Sequence, residues 1–537
     1  MSNQNYLKFY LDKGEVENEF VLNEVSEDFI FKELNNLKCN KGTGMDQMPA
    51  RFIKDAACVI KTPITHIINS SIRTEKVPHE MKQARVTPLY KKNNKFDVGN
   101  YRPVSILSIV SKILEKSVNE QLCDYLTNKN LLYQYQSGFR KAHSTDTCLI
   151  YLQDYIRSHI AQGNYTGMVL IDIQKAFDSV DHNILCSKLK AMGIGSVDWF
   201  KSYLEDREQM VMINDTLSKS LKITCGVPQG SILGPILFPC FKNDMPNSLS
   251  AVLFQYADDS AILVSDKNIC TIRTILNENL KECFSWLVDN KLSMHPGKTE
   301  LILFGSRRRL NLVTDFNVIC EGHVIHNKTA VKYLGLNIDH LLCGEEIVSN
   351  IVMKVNNRIK FLYRQAQYFD LKTKKNLVSA LVLCYFDYSI SSWFMSLTAL
   401  SRSKLQVAQN KALRFVLNVG PRVRIEYADF KLLNLLNVEL RAKQLRLHHM
   451  YNIYNNKSPV YMNAYFCRMS EVHNYGTRGS HFNYQLPKSN TNISKTFHFN
   501  ATKDWNSLPS NIKDIHSKST FKYVCKKWLF GEMNSEM

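Results

Sequence analysis

Apolar positions recur at helical spacing early in the chain. Phe29, Ile30, Leu34 and Leu37 follow Ser26, and the pattern stops at Gly42 and Gly44, which predicts a capped helix and a break within a mixed helical first 60 residues. RVTPLYKK (85–92) reads as a short strand. NYRPVSILSIVSKILEKSVNEQLCDYL (100–126) reads as a turn leading into a helix that turns Ile109, Ile113, Val118 and Leu122 inward. From about 166 to 265 short apolar strands alternate with helices. Beyond about 345 the period is helical, and from about 470 the chain becomes rich in Asn, Ser and aromatic residues. Divisions are expected near 65, 340 and 465. Leu377–Leu400 is the most membrane-like window, but it holds Asp387 and six Ser and Thr residues between basic flanks. It is expected to be a buried helical hairpin.

Composition narrows the class. The 537 residues are 45% hydrophobic and 22% charged, with 21 Gly and 14 Pro, which excludes a disordered, collagenous or low-complexity chain. Lys and Arg number 68 against 49 Asp and Glu, a net +19. The surplus has an address. Residues 341–537 hold 28 basic and 12 acidic side chains, and the first 340 hold 40 and 37. So local a surplus points to a polyanion, nucleic acid before an anionic membrane.

Cysteine spacing adds a negative. The 14 Cys include no CxxC pair, so zinc knuckles, ribbons and thioredoxin-like motifs are unsupported. Cys467, His473 and His481 lack a fourth ligand nearby, and no metal is expected there. The polar N-terminus, MSNQNYLKFYLDKGEVENEF, has no apolar signal core. An intracellular protein, nuclear or cytoplasmic, with reduced thiols is the expectation.

The chemistry is concentrated in two acidic segments. In MVLIDIQKAFDSVDH (168–182), Asp172 stands near the end of an apolar strand. In VLFQYADDSAILV (252–264), two apolar runs meet at Asp258 and Asp259, which reads as a hairpin with the acids at its tip. Either segment alone is an ordinary solvated turn. Brought to one sheet edge, three carboxylates repel one another unless cations lie between them. Oxygen ligands of this kind suit Mg2+ or Mn2+, and two such ions can activate an attacking hydroxyl and stabilise a leaving pyrophosphate. That constellation points to phosphoryl transfer.

Tyr256-Ala-Asp-Asp259 resembles the YxDD box of reverse transcriptases. Asp172-xxxx-Phe177-Asp178 looks like the first palm motif of these polymerases, and Gly226-Val-Pro-Gln-Gly-Ser-Ile-Leu-Gly-Pro235 like their template and nucleotide motif. Asn100-Tyr-Arg-Pro-Val-Ser105 and Gln136-Ser-Gly-Phe-Arg140 look like fingers motifs; Gly297-Lys-Thr299 and Lys332-Tyr-Leu-Gly-Leu336 look like the later palm motifs, in order. In wording, the blocks resemble the non-LTR (LINE-type, jockey-like) retrotransposon enzymes from about residue 25 onward, most specifically over 84–340. The resemblance implies an α+β right-hand polymerase. Residues 1–65 would be a helical extension, 66–340 the fingers and a palm of antiparallel sheet plus helices, 341–465 a helical thumb, and 466–537 a basic C-terminal region.

The implied activity is RNA-directed DNA polymerisation on an RNA template, a DNA primer and dNTPs, with two Mg2+ or Mn2+ ions and no membrane. The implied roles follow the motifs. Asp172 and Asp258 hold the metals, with Asp259 as a supporting carboxylate. Phe177 is a steric gate against the 2′-OH, and Gln229 and Gly230 meet the template or incoming base. Arg102 reaches the triphosphate, and Lys298 donates a proton to the leaving pyrophosphate or clamps it. Gly297-Lys298-Thr299 also mimics the end of a P-loop, but Leu292 stands where that motif needs its first Gly, so an NTPase is rejected. Lys354, Arg358 and Arg364, and likewise Lys404, Lys411 and Arg414, would grip the primer–template phosphates.

Two departures qualify the resemblance. Pro239-Cys-Phe-Lys-Asn-Asp244 replaces a more apolar run, so a looser helix and reduced activity are expected there; Met294-His-Pro-Gly297 varies the approach to Lys298. Residues 1–60 are too few for the apurinic-like endonuclease of complete elements, and no ribonuclease H motif is visible. An inactive element remnant that only binds nucleic acid is the alternative reading. An RNA-dependent RNA polymerase is a third, disfavoured by Phe177.

Overall fold

The structure, a computed structural model, describes residues 19–472 and 482–536. His473, His481 and the first 18 residues of the N-terminal reading lie outside the described residues. The chain forms two compact units, each assembled from separated segments. The first comprises residues up to Arg140, Asp172–Ser250 and Asn279–Gly297. The second comprises Lys141–Ile171, Ala251–Glu278 and the chain from Lys298 onward. Both mix helices with sheet.

The first unit carries a five-stranded sheet of β1 (Gln83–Tyr90), β2 (Tyr101–Ile106), β4 (Arg207–Ile213), β5 (Thr216–Leu217) and β6 (Leu221–Ile223), numbered along the whole chain. β1 pairs with β2 antiparallel and with β4 parallel. The expected turn at residue 100 is present at Val98–Asn100, but before the helix it leads into the strand Tyr101–Ile106. Its Pro103 lies opposite Pro88, on the edge strand of the sheet, where a missing N–H leaves only an outer position undonated. The following helix, Ile109–Asn128, starts at Ser108, whose hydroxyl accepts from the Ser111 amide at 3.1 Å. Its Ile109, Ile113, Val118 and Leu122 are buried as expected. The early helix, Glu27–Asn35, likewise begins at its Ser26 cap and buries Ile30 and Leu34.

The helix Gly234–Lys242 is not loose, contrary to the expectation drawn from its polar residues. Every residue from Ile236 to Lys242 is buried. Lys242 lays its ammonium 5.6 Å over the Phe238 ring. Asn243 accepts from the Tyr133 amide at 2.7 Å and donates to the Leu131 carbonyl at 2.8 Å. Asp244 takes the fully buried Lys188 ammonium at 2.6 Å. Each polar group that replaces an apolar one has a partner, so burial costs little.

The second unit is built on a six-stranded sheet in the order β10-β11-β9-β3-β8-β7. Its strands are β3 (Tyr165–Ile171), β7 (Val252–Tyr256), β8 (Asp259–Asp266), β9 (Glu300–Phe304), β10 (Asn317–Cys320) and β11 (His323–Lys328). β3 is central and buried at all seven residues, with antiparallel neighbours on both sides. A Cβ at its Gly167 would come within 2.7 Å of Ile272 and 2.8 Å of Leu276, so only glycine lets that helix lie so close to the sheet. A two-stranded ribbon, β12 (Ala330–Tyr333) and β13 (Leu336–Asp339), precedes the helical part.

Beyond Gly344 the unit is helical, as the period predicted, and the tail from 482 also proves helical. Phe497–Ser507 and Lys518–Glu536 pack on Val438–Tyr454. Phe521 stacks on Tyr451 at 4.4 Å, and Lys443 pairs with Glu532 at 2.8 Å. The tail is also tied to the helix Thr145–Ala161, where buried Asp154 accepts the Phe497 and His498 amides at 2.8 Å each. The stretch Leu371–Ser396 is long and apolar enough to cross a membrane by length and composition, yet half of its most apolar window is buried in the protein. Its helical path breaks at Ser389 (φ 49°), and its Asp387 forms a forked pair with Arg441 at 2.7 and 2.9 Å.

Candidate active site

The acidic hairpin forms as the alternation predicts. β7 and β8 close at Tyr256 opposite Asp259, leaving Ala257 and Asp258 as a two-residue tip. Ala257 takes φ 56°, a left-handed turn position that glycine would occupy more cheaply. Asp258 is half-buried and Asp259 exposed. In β3 the last residue, Ile171, is in register with Ser260, so the strand ends level with the base of the hairpin, and the next residue of the chain is Asp172. Beyond it, the Asp172 carbonyl accepts the His295 amide at 3.1 Å and the Gln174 amide donates to Ser293 at 2.9 Å, which ties this segment to the approach to Lys298. Lys298 itself is exposed at the end of the turn Pro296–Lys298. Asp172, and Asp258 and Asp259 on the hairpin, each offer only oxygen donors, the kind that suits hard divalent cations. Among the described residues no three His, Cys, Asp or Glu side chains stand as a ready metal cluster.

The first unit holds the other candidates around the loop 226–233. The Gly226 amide donates to the Val180 carbonyl at 2.7 Å, and the Val227 amide to the Phe177 carbonyl at 2.8 Å. Gln229 donates its amide nitrogen to both carboxylate oxygens of Asp178, at 2.9 and 3.0 Å. Burial pushes the Asp178 carboxyl up, and the Gln229 bond and Lys175 work against that shift. From the other side the Ser105 amide donates to the Gln229 carbonyl at 2.7 Å. Gly230, at φ 118°, lies so near that a Cβ would stand 2.4 Å from the Ser105 oxygen. The structure thus gives Gly230 a reason beyond ligand approach: it docks the loop on β2. Arg102 is exposed on the same strand. Phe177 stacks on Phe238 at 4.7 Å and meets Phe139 edge-on at 6.0 Å.

Residues 90–338 match the family model for reverse transcriptase (RNA-dependent DNA polymerase). They form a reverse transcriptase domain. Three curated relatives come from mobile elements of Drosophila melanogaster. The probable RNA-directed DNA polymerase from transposon BS is 29% identical over 74% of this chain and 45% of that protein. The RNA-directed DNA polymerase from mobile element jockey is 26% identical over 69% and 41%. The probable RNA-directed DNA polymerase from transposon X-element is 24% identical over 78% and 47%. The chain spans less than half the length of these relatives in the matched regions. The reverse transcriptase domain contains both acidic segments and the loop 226–233.

The basic residues beyond the reverse transcriptase domain divide into two kinds. Lys404 and Arg364 are exposed. Lys354 and Arg358 share Tyr385, the ammonium 5.5 Å over its ring and the guanidinium 3.4 Å from its hydroxyl. Lys411 reaches Asn356 at 3.2 Å, and Arg414 bonds the Val423 carbonyl at 2.7 Å. The helices Glu345–Tyr363 and Ala399–Leu417, which carry Lys354, Arg358, Lys404, Lys411 and Arg414, pack together.

Sequence reasoning missed Glu115. This fully buried acid on Ile109–Asn128 accepts the Ile232 amide at 2.5 Å, the Leu233 amide at 3.4 Å and the Tyr203 hydroxyl at 3.0 Å. The signal was present. Glu115 falls three and seven residues before Val118 and Leu122, on the stripe already read as inward.

Proposed function

We propose that the chain is an RNA-directed DNA polymerase of a non-LTR retrotransposon, extending a DNA primer with dNTPs on an RNA template. The observation that carries this reading is the Tyr256–Asp259 hairpin beside a strand that ends at Ile171, the residue before Asp172 in the chain, within a reverse transcriptase domain. In this reading the six-stranded sheet is palm and the β1–β2 region belongs to the fingers. The helices after about 340 are thumb, and the tail after about 465 is a basic accessory region. Reverse transcriptases as a family depend on divalent metal ions, and Asp172, Asp258 and Asp259 are the residues that would hold them. Two such ions supply charge neutralisation and Lewis acidity for a displacement at phosphorus.

This chain's own groups do the rest. The primer 3′ oxygen forms its bond to the α-phosphorus as the bond to pyrophosphate breaks. Lys298 stands for the leaving group, either as proton donor or as fixed positive charge. Arg102 matches the triphosphate with a planar, permanently charged fork. Phe177, backed by Phe238, closes the space under the sugar against a 2′-OH. Gln229 and Gly230 shape the floor for the template or incoming base. Lys354, Arg358, Arg364, Lys404, Lys411 and Arg414 hold the duplex through its phosphates.

Primer extension by the purified protein on poly(rA)/oligo(dT) with Mg2+ or Mn2+ tests the proposal. Incorporation of dTTP in preference to rUTP is expected. Salt-sensitive duplex binding without incorporation would make the chain an inactive remnant. A preference for rUTP would make it an RNA polymerase and remove the gate from Phe177.

A further inference from the structure

The loop 226–233 is the longest irregular segment that the proposed activity assigns to substrate, and its backbone needs a fixed shape to be useful. Its first half is fixed by Val180, Phe177, Asp178 and Ser105, all described above. Its second half, where the chain turns into the helix Gly234–Lys242, is held locally by Ser231, whose hydroxyl donates to the Pro228 carbonyl and accepts the Gly234 amide, both at 2.9 Å. From another element it is held by one carboxylate. Glu115 receives two successive backbone amides, Ile232 and Leu233, at the point where the helix begins and its amide groups are unsatisfied.

The acid is itself anchored from a third element. Tyr203, on the helix Val197–Leu204, donates to it at 3.0 Å and is 1% exposed. Arg207, the first residue of β4, is also 1% exposed; it donates to the Tyr203 carbonyl at 3.0 Å and lies against the Tyr203 ring at 4.8 Å. Two of its guanidinium nitrogens, Nε and Nη2, are buried without a hydrogen-bond partner. Its positive charge acts on Glu115 through space. Burial pushes the Glu115 carboxyl up, and the amide bonds, Arg207 and Tyr203 oppose that rise. A carboxyl so thoroughly enclosed is expensive unless its hydrogen bonds are worth keeping.

We propose that Glu115 is a positioning residue for the nucleotide-binding loop, clamping Ile232 and Leu233 so that Gln229 and Gly230 are held in their substrate-ready shape. This rests on the polymerase reading for the ligand, and on the geometry alone for the clamp. The acid touches no substrate. It acts by keeping the loop from relaxing, so its loss should weaken dNTP binding before it slows the transfer step.

The test compares Glu115→Gln and Tyr203→Phe with the unsubstituted protein. Glu115→Gln is expected to raise the KM for dNTP by about tenfold, the order of one buried hydrogen bond to a charged group. The kcat per active site and the Kd for primer–template should change less than about threefold. Tyr203→Phe should move the same KM by only a few fold. Hydrogen exchange at the Ile232 and Leu233 amides should quicken in both variants. Unchanged exchange at these amides overturns the clamp whether or not the protein polymerises. An unchanged dNTP KM with only a smaller active fraction would make Glu115 a stability residue, and overturns the positioning role. Absence of dNTP incorporation by the unsubstituted protein would sink the polymerase reading instead, and the exchange measurement would still decide the clamp.

Discussion

The hairpin tip at 257–258 and the loop 226–233 solve opposite problems. The hairpin accepts a left-handed alanine at Ala257 and leaves Asp259 exposed and Asp258 half-buried. The loop is drawn inward, with Gln229 bound to Asp178 and Ser105, and Ile232 bound to Glu115. One presents charge from a rigid two-strand support. The other presents a shape, held by bonds within the protein. Changes at the hairpin acids should therefore remove chemistry while sparing the fold, whereas changes in the loop should alter binding and stability together.

Outside the acids, the largest effect is expected at Gly230. Gly230→Ala places a Cβ against the Ser105 carbonyl and forces a φ of 118° on a residue that resists it. A stability loss of roughly 2–3 kcal/mol is expected from the strained backbone and the clash. Urea unfolding would show it, along with a raised dNTP KM. If activity fell with unchanged stability, the loop would resemble the hairpin and the contrast would fail.

The residues proposed to grip the duplex should give a smaller, electrostatic effect. Lys404→Ala with Lys411→Ala is expected to weaken primer–template binding and to lower the salt slope of log Kd by about one for each phosphate that is no longer neutralised. Unchanged slope would return these lysines to ordinary solvated surface. Removing all of 341–537 is no substitute for this experiment. That segment supplies helices that pack on Thr145–Ala161, and Arg157 there bonds the Leu342 carbonyl at 2.6 Å. Its loss would expose core as well as remove charge.

The smallest effect sharpens the comparison from the side of stability. In the helical part of the second unit, burial pushes His448 down to about 3 and His449 and His498 to about 4; neighbouring cations reinforce the shift at the first two. Unfolding frees each to take up a proton at its ordinary 6.5, so these groups withdraw stability as pH falls below that value. Asp154 works the other way. Its burial pushes it from 3.8 to about 7, so the folded chain gains on acidification through that window. Burial also pushes Glu115, Asp146 and Asp178 up, in the same sense as Asp154. The histidines' share is therefore read by substitution: relative to the unsubstituted protein, His449→Gln should move the thermal midpoint upward more at about pH 5 than at about pH 7. An equal shift at the two pH values would show that His449 takes no part in the acid response.

What was legible in the sequence was local and periodic. Asp172 at a strand end, the acidic hairpin and the inward stripe of Ile109, Ile113, Val118 and Leu122 all followed from spacing. β2 was not legible, because Asn100 and Pro103 are turn formers and the strand exists only through pairing with β1. Nor was the buried pair of Lys188 and Asp244, which lie 56 residues apart along the chain. Glu115 failed for the same reason: its amide partners are more than 100 residues away. Spacing reports which face a residue takes, and only the fold reports who waits there.

In the proposed reading the hairpin acids serve chemistry and not architecture. Asp258→Asn keeps the shape and removes the charge. Single-turnover primer extension, read beside the Kd for primer–template and the thermal midpoint, tests this most directly. Extension should fall by about three orders of magnitude or more, with binding and midpoint within about twofold and a degree or two. Retained extension, or a loss explained by unfolding, would contradict the account.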